Sequence, residues 1–596
     1  MTGIAERVRR DPGGALLALA ILAVIALYAP TLGRGLVNFD DPWLVQSNWI
    51  VQQPSSTSVH AILFDLGRDT RAVLGAEYLP VRDLSILVDF AVWGDGYQGF
   101  HLTNLVLYLA AIVLWFAALT GFGIDRRVVG LAILVWAVHP SHAESVAWIS
   151  ERKGLLAAMF AGLAALGYSR FRSGRRAGWL VLAMLAAVAA VWSKAPSAFA
   201  LAALAALELM LPERRHSVRR ALTGLGAIAI VAAAAFVPVL TVASRMSVIA
   251  PSDDAPASWL AMVLGTFGFY VQLGAMTLPN AVSYPIASDG PSAIDLVLGI
   301  AGLLAAIGVV IVPRRGRWQP SPVVRAASLI WLLGWFPVSR LVLPVKAVVV
   351  ADRYLMFPSL GLALAVAVGV CSVTPGRMRL LLGAVIVLAA SLRTIDAQAT
   401  WRDPVTLWER AVASNPADSN AWSMYVEALV ASGDDERAAD AVARGRERAP
   451  SARLLMHEAL LVLRTDRPRG MELMRQASDA GEPKAMINYA VLLADQRQSW
   501  PGLQLVRRAV VQLPLDANAH RIHGKLALIL RGREEALAAF ERAYALEPMN
   551  LVNRVNLGLA LIELKRPAEA RVHLEAALAD PRLAASARSL LARIPP

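Results

Sequence analysis

Cysteine is all but missing: the 596 residues contain one, Cys371. No intramolecular disulfide can form, and a multi-cysteine zinc site is excluded as well. Charge is also scarce. Asp, Glu, Lys and Arg make up 17% of the chain, against about a quarter in soluble domains. Hydrophobic residues reach 57% and the mean hydropathy is +0.51. These figures exclude a single soluble globule and a disordered chain. They leave a polytopic membrane protein of more than one folding unit. The net charge of +13 does not point to nucleic acid. The basic clusters alternate with apolar runs and lack interleaved aromatics, as loops that report membrane topology do.

Two regions have different rhythms. Residues 1–397 form a series of long apolar runs, whereas 398–596 are charged, rich in Ala and Leu, and free of any spanning segment. The sequence predicts an all-α protein, a membrane domain followed by a helical solenoid. Candidate spans fall near 13–32, 101–120, 127–140, 152–168, 178–192, 196–211, 221–242, 293–312, 326–343, 355–373 and 378–395. The first is read as a span rather than a cleaved leader. Arginines cluster at Arg7, Arg9 and Arg10, at Arg126 and Arg127, and at Arg170, Arg172, Arg175 and Arg176. They cluster again at Arg214, Arg215, Arg219 and Arg220, at Arg314, Arg315, Arg317 and Arg325, and at Arg377 and Arg379. All land on one side only if 258–279 does not cross. Eleven spans then place the N-terminus inside and the C-terminal region outside. The stretch 258–279 becomes an interfacial or re-entrant outer helix, flanked by Ser252-Asp253-Asp254 and Ser288-Asp289-Gly290. The alternative is a twelfth span with the C-terminal region inside.

The C-terminal region repeats. Prolines recur at 416, 450, 483, 514, 548 and 581, spaced 31 to 34 residues apart. That is the period of tetratricopeptide (TPR) repeats. The unit ending at Pro548 carries Gly524, Ala536, Phe540 and Ala543, and the next repeats it with Gly558, Ala570, Leu574 and Ala577. Small residues let paired helices approach, and each pair leaves an apolar face that a neighbour covers. The pattern predicts five stacked units, a leading helix over 403–414 and a capping helix over 583–593. Such arrays bind a peptide or protein, or act as a spacer.

The first outer loop, 33–100, is too long for a connector. Its sharpest feature is Asn38-Phe39-Asp40-Asp41-Pro42-Trp43, with Arg82 further along. Adjacent carboxylates at a membrane surface can supply a general base, hold a divalent cation or simply solvate a loop. Other ionisable residues fall at span ends predicted to share that face: His139, His142 and Glu144, then Arg152, then Lys194, then Asp352 and Arg353 beside Tyr354. Basic residues on the outer face run against the topology bias. A lipid-linked phosphate is one reason for them; snorkelling at span ends is the other. His139 and His142, three apart and without a clear third ligand, read as structural histidines rather than a metal pair.

These residues are where a resemblance enters. Phe39-Asp40-Asp41 is followed by Tyr78-Leu79-Pro80-Val81, by Trp93-Gly94 and by His101-Leu102-Thr103-Asn104-Leu105. Next come His139-Pro140-Ser141-His142-Ala143-Glu144-Ser145-Val146-Ala147-Trp148 with Arg152-Lys153, and then Ser193-Lys194. Asp352-Arg353-Tyr354-Leu355 and Trp401-Arg402-Asp403 complete the series. In this order, over nearly the whole chain, they resemble the transmembrane and TPR-repeat-containing glycosyltransferases of the GT-C superfamily, relatives of the protein O-mannosyltransferases. The resemblance implies a GT-C-like membrane domain and a polyprenyl-phosphate sugar donor, mannose or a similar monosaccharide. It implies inverting transfer to Ser or Thr of a protein acceptor on the non-cytoplasmic face. Asp40 would be the general base, and Asp41 would orient it, assist it or bind a cation. Arg152, Arg353 and Lys194 would bind the donor phosphate, with His139, His142, Glu144, Asp352, Tyr354, Arg82 and His101 in support. Gly154, Ala195 and Tyr108 stand where such chains often carry two acids and a histidine. A membrane-anchored TPR scaffold without catalysis and a lipid-linked glycan transporter are the competing readings. The Ala- and Arg-rich usage suggests a bacterial inner membrane with periplasmic repeats; the lumenal side of the endoplasmic reticulum has the same topology.

Overall fold

The structure is a computed structural model that describes residues 11–594, except 212–216, 247–255, 288, 313–318, 342–348 and 374. Arg7, Arg9, Arg10, Arg214, Arg215, Arg314, Arg315 and Arg317 lie outside the described residues, as do Ser252, Asp253, Asp254 and Ser288. Among the described residues all regular structure is helical, and the chain divides into two compact units, Met1–Asn415 and Pro416–Pro596.

The first unit is built from α1 (Pro12–Tyr28), α2 (Ser56–Phe64), α3 (Pro80–Trp93), α4 (Tyr97–Gly121) and α5 (Arg126–Ala137). It continues with α6 (Arg152–Arg172), α7 (Gly178–Ser193), α8 (Ser197–Met210), α9 (Val218–Arg245) and α10 (Pro256–Gly274). It closes with α11 (Ala293–Ile311), α12 (Pro322–Trp335), α13 (Pro358–Ser372), α14 (Gly376–Ala399) and α15 (Pro404–Ser414). Each of the eleven expected spans falls on one of these helices. Six stretches are long and apolar enough to cross a membrane: Pro12–Gly33, Tyr97–Gly121, Ile149–Arg172, Val218–Arg245, Ala293–Ile311 and Gly376–Ala399. The others are shorter than the roughly 20 residues a bilayer asks for. The shortest, α5, is buried along its whole run from Val129 to Ala137. Its C-terminal end is covered by protein, which is where non-helical backbone is tolerated at membrane depth, while Arg126 and Arg127 at its start are exposed. The expected span 326–343 is truncated: α12 ends at Trp335 and a 3-10 turn follows over Phe336–Val338. The stretch expected as an outer helix is α10, which meets α11 at a glycine crossing. A Cβ on Gly268 would strike the Asp295 carbonyl, and one on Gly299 would strike that of Leu264.

The long outer segment is a folded layer rather than a loop. Leu44, Val45, Ile50, Ile62, Leu74 and Ile86 bury together with Phe90 and Phe100. The periodic Ile86, Leu87 and Phe90 give α3 its apolar stripe. Arg34 ties this layer to the end of α14, donating to the Gln398 carbonyl at 2.7 Å and to its side-chain oxygen. The first unit runs further than the expected boundary at 397. The reason is α15: Trp408 Nε1 donates to Asn38 Oδ1 at 2.7 Å, and its ring lies 5.4 Å from that of Phe39.

The second unit contains five helix pairs. They are α16 (Ser419–Ala431) with α17 (Asp435–Arg448), α18 (Ala452–Val462) with α19 (Arg467–Asp479), and α20 (Pro483–Asp495) with α21 (Ser499–Gln512). Then come α22 (Ala517–Ile529) with α23 (Arg533–Leu546), α24 (Leu551–Glu563) with α25 (Pro567–Ala577), and the capping helix α26 (Pro581–Leu591). The repeating glycines act as their spacing implies: Gly524 receives the Phe540 ring and Gly558 the Leu574 side chain. A groove of about 620 Å³ runs along the first helices of successive pairs, lined by Glu427, Val430, His457, Leu460, Lys484 and Asn488 among others.

Candidate active site

Asp40 and Asp41 sit just before the π-helical turn Pro42–Gln46, and their surroundings differ. Asp41 is buried. Its Oδ2 accepts the Val37 amide at 3.1 Å, and its Oδ1 accepts the Ser150 amide at 3.0 Å and the Ser150 hydroxyl. Burial pushes the Asp41 carboxyl up to about 6 against the pull of those hydrogen bonds. Asp40 is half-buried. Burial raises its pKa too; Lys153 and Arg353 oppose the rise, and Glu77 and Glu151 add to it. Asp40 is presented to a field of cations while Asp41 braces the turn behind it.

Two cations, Lys153 and Arg353, act on Asp40 and a third, Lys194, shares Glu151 with Arg353; each is set against a glutamate. Lys153 Nζ is 3.0 Å from Glu77 Oε2, and Lys194 Nζ pairs with Glu151. Arg353 pairs with Glu144 through its guanidinium, donates its amide to Glu144 Oε2 at 2.9 Å, and brings Nε within 3.8 Å of Glu151 Oε2. All three side chains remain 12–16% exposed. Aromatic rings hold them in place: Arg353 lies over Trp148 and Tyr354, and Lys194 over Tyr354. Trp148 in turn stacks on Trp401 with centroids 5.2 Å apart and meets Phe39 at 4.8 Å.

The segment 139–151 carries both glutamates and is pinned by its histidines. His142 bonds Tyr108 at 2.7 Å through Nδ1 and Ser359 at 3.0 Å through Nε2. His139 bonds Ser141 at 2.7 Å through Nδ1 and the Gly274 carbonyl at 3.1 Å through Nε2. With both nitrogens of each ring engaged, the pair positions the segment. No group of three or more His, Cys, Asp or Glu is placed to hold a metal among the described residues. Asp352 is buried and accepts from Asn280 at 2.8 Å and from the Tyr284 hydroxyl, which anchors the turn bearing Arg353.

Arg152 stands apart from this group, contrary to the phosphate-binding role expected for it. It is fully buried in an ion pair with Asp89, and it donates to Asn104 Oδ1 at 2.8 Å and to the carbonyls of Phe100 at 2.9 Å and Ser85 at 3.3 Å. Its donors are spent on scaffold, and the next residue, Lys153, faces the site. Arg82 is likewise internal, pairing with Asp83 at 2.8 Å and Glu77 at 3.0 Å. His101 is buried against the Gly35 carbonyl, 3.4 Å away. The sequence singles out Glu151 and Lys153 as ionisable residues at a span end and Glu77 as a loop carboxylate without assigning them roles, and it gives no sign of Ser150. Glu151 and Lys153 flank Arg152, so the signal lay in the same short block.

A narrow cleft borders the cations, lined by Gly154, Lys194, Ala200, Gly334, Arg353 and Phe357 among others. A Cβ on Gly154 would come within 2.9 Å of Glu151 Oε1, so the glycine leaves room for the Glu151–Lys194 pair. Among the described residues, Ser145 Oγ, Trp148 Nε1 and Glu151 Oε2 are buried without a hydrogen-bond partner. Buried polar atoms are normally satisfied; of these, Glu151 Oε2 has only its 3.8 Å contact with Arg353.

No protein-family model matches the chain. It is 23% identical over 554 residues to human protein O-mannosyl-transferase TMTC3, covering 83% of this chain and 60% of that one. The mouse TMTC3 protein gives 23% over 549 residues, covering 82% and 59%. Drosophila melanogaster protein O-mannosyl-transferase Tmtc1 gives 30% over 138 residues, covering 23% and 16%. The chain therefore spans about 60% of the length of the TMTC3 relatives. Among solved structures, YrrB, described as a TPR protein with an unusual peptide-binding site, shares 18% identity at a TM-score of 0.25, covering 30% of this chain and 97% of that one. MamA from Desulfovibrio magneticus RS-1 shares 16% at 0.24, covering 28% and 96%. Over most of its length the chain is similar to the TMTC proteins, and it combines long apolar helices with a run of TPR-like helix pairs.

Proposed function

We propose that this chain is an inverting GT-C-type glycosyltransferase. In this reading it moves a monosaccharide, mannose by the names of its relatives, from a polyprenyl-phosphate donor to Ser or Thr hydroxyls of a protein. The observation that carries the reading is a half-buried Asp40 within electrostatic reach of Lys153 and Arg353, with Lys194 in the same carboxylate network. Inverting displacement needs a base on one face of the sugar and charge stabilisation for the leaving group on the other.

Asp40 takes the proton of the acceptor hydroxyl as its oxygen bonds to the anomeric carbon. The bond from that carbon to the phosphate oxygen breaks, and its electron pair leaves with the polyprenyl phosphate. Lys153, Lys194 and Arg353 receive the phosphate charge. Arg offers a planar fork and Lys a point charge, and both suit phosphate oxygens. Glu144 and Glu151 keep these cations in place before the donor arrives. The cleft has room of only about 20 Å³, so the first carbons of a polyprenyl tail enter it when the small and apolar walls at Ala200, Gly334 and Phe357 part. Asp41 acts as a positioning residue through Ser150 and Val37. A divalent cation does not fit this donor set: both Asp41 oxygens are engaged, and Lys153 and Arg353 act on Asp40. The mechanism is therefore routed through the protein's own cations.

In the same proposal the site and the repeats face the non-cytoplasmic side, the periplasm of a bacterium or the lumen of the endoplasmic reticulum. The TPR groove then recruits the acceptor. The test is transfer in vitro. Purified protein, polyprenyl-phosphate [³H]mannose and an unfolded outer-face protein should yield labelled, base-labile O-linked sugar. Label that stays with the lipid in every donor and acceptor combination would refute the reading.

A further inference from the structure

A groove of about 740 Å³ opens at the far end of α14 from the Asp40 site, beside its first turns. One wall is α1, the other is α14, and α5 and α13 form the floor; Leu16, Leu131, Val370, Leu380 and Val387 line it. It is left where the first turns of α14 present a glycine rather than a side chain to α5 and α13. Near the end of that helix, Thr394 donates to the Val138 carbonyl at 2.7 Å. Toward its start Gly383 brings no side chain to the floor, where a Cβ would make ordinary contact with Leu131 at 3.8 Å and Val370 at 3.9 Å.

The mouth of the groove carries two arginines, Arg127 and Arg379. The other charges nearby are accounted for. Arg126 pairs with Asp11 at 2.6 Å. The Asp125 carboxylate accepts the Arg127 and Val128 amides and caps α5. Arg379 uses Nε on the Val373 carbonyl at 3.3 Å. Among the described residues, the Arg127 guanidinium has no partner.

We infer that this groove binds an anionic phospholipid, with its phosphate on Arg127 and Arg379 and an acyl chain along the aliphatic walls. Three observations favour that occupant. The arginines stand where α1, α5 and α14 begin, which is headgroup depth for helices that start at a membrane face. Paired guanidinium groups match phosphate oxygens, and basic pockets between membrane helices take acidic headgroups. A partner helix, about 10–12 Å across with its side chains, would seat poorly in this volume and leave both arginines without a counter-charge. A soluble phosphate ester would leave the apolar walls uncovered. Arg34 joins the other ends of α1 and α14, so a lipid bridging their starts holds together the two helices that flank the Asp40 turn.

The experiment uses the full chain, purified in detergent and delipidated. Lipid binding is followed by native mass spectrometry and by thermal unfolding. Phosphatidylglycerol, phosphatidylcholine and tail-free glycerol 3-phosphate are the probes. Phosphatidylglycerol should bind and stabilise, phosphatidylcholine should do so more weakly, and glycerol phosphate should do neither at matched concentration. Arg127→Gln and Arg379→Gln should each weaken phosphatidylglycerol about fivefold, from the roughly 1 kcal/mol a basic residue contributes near anionic lipid. Arg377→Gln, an exposed neighbour that does not line the groove, should change nothing. Equal binding of the two lipids would overturn the inference. So would binding of glycerol phosphate alone, an equal effect of Arg377→Gln, or a co-purified protein displaced from the groove. If either arginine variant fails to fold, Leu131→Trp, which fills the groove floor, must lower lipid binding instead.

Discussion

Replacing Arg152 with Leu separates the role the primary structure suggests from the one the fold assigns. Arg152 is buried against Asp89, and its remaining donors serve Asn104, Phe100 and Ser85. Its loss leaves the Asp89 carboxylate buried with one hydrogen bond, from Thr103 at 2.8 Å. Removing one partner of a buried ion pair costs about 3–5 kcal/mol, a large share of the 5–15 kcal/mol that holds a typical domain together. Arg152→Leu should therefore express poorly and unfold at a markedly lower temperature. The double variant Arg152→Leu/Asp89→Leu, which removes both charges, should recover most of that loss. Lys153→Met should behave in the opposite way. Lys153 is 16% exposed and pairs with Glu77, itself 42% exposed, so the fold should survive while sugar transfer collapses. The assay is fluorescence-detected size-exclusion chromatography with a thermal ramp, run beside donor binding. An Arg152→Leu protein that folds normally but no longer binds donor would refute the reasoning and return Arg152 to the phosphate site.

Three further outcomes follow from the geometry. Burial lifts Asp41 from 3.8 to about 6, so the folded state takes up a proton between those values. Its contribution to stability is therefore fully present below about pH 4 and is lost as pH rises toward 6, a change of about 3 kcal/mol. Asp41→Asn should remove that slope, read as the difference between the two unfolding-versus-pH curves. Glu144→Gln should lower donor affinity and transfer together by roughly 10- to 100-fold, the worth of hydrogen bonds to a charged group, while Arg353 stays folded. Gly524→Ala places a Cβ 2.6 Å from the Phe540 ring. Overpacking of about 1–3 kcal/mol should make α22 and α23 the first cleavage point in limited proteolysis of the full chain.

Much of this architecture was readable from the residues. Prolines mark the repeats because a helix pair must end before its neighbour can stack, and Pro483 and Pro581 indeed open helices. Asp40, Lys194 and Arg353 are polar groups at apolar span ends, where their cost makes them visible. Other features were hidden. Arg152 and Lys153 are adjacent at the start of α6, and one residue turns a side chain by about a quarter of the helix circumference. Nothing local decides which of them meets Asp89 and which meets Glu77. Asp89 was the missed signal: an acid inside the apolar stripe of α3 requires a buried base. The 33–100 segment reads as a loop because its helices are short and its core of Leu44, Ile62, Ile86 and Phe100 is assembled from residues far apart in the chain. The five short helices were visible as apolar runs, but their lengths were not: α5 spans only Arg126–Ala137 because its residues from Val129 on pack against protein.

The central claim is that Asp40 is the base of a sugar transfer. Glycopeptide mass spectrometry of host cells carrying wild type or Asp40→Asn at matched expression tests it directly. Asn keeps the size of the side chain and removes its basicity, and Asp41 with its Ser150 and Val37 contacts stays in place. A hexose on Ser or Thr of outer-face proteins, present with wild type and absent with Asp40→Asn, is the predicted result. Equal modification in both strains, with Asp40→Asn protein folded and abundant, would contradict the claim.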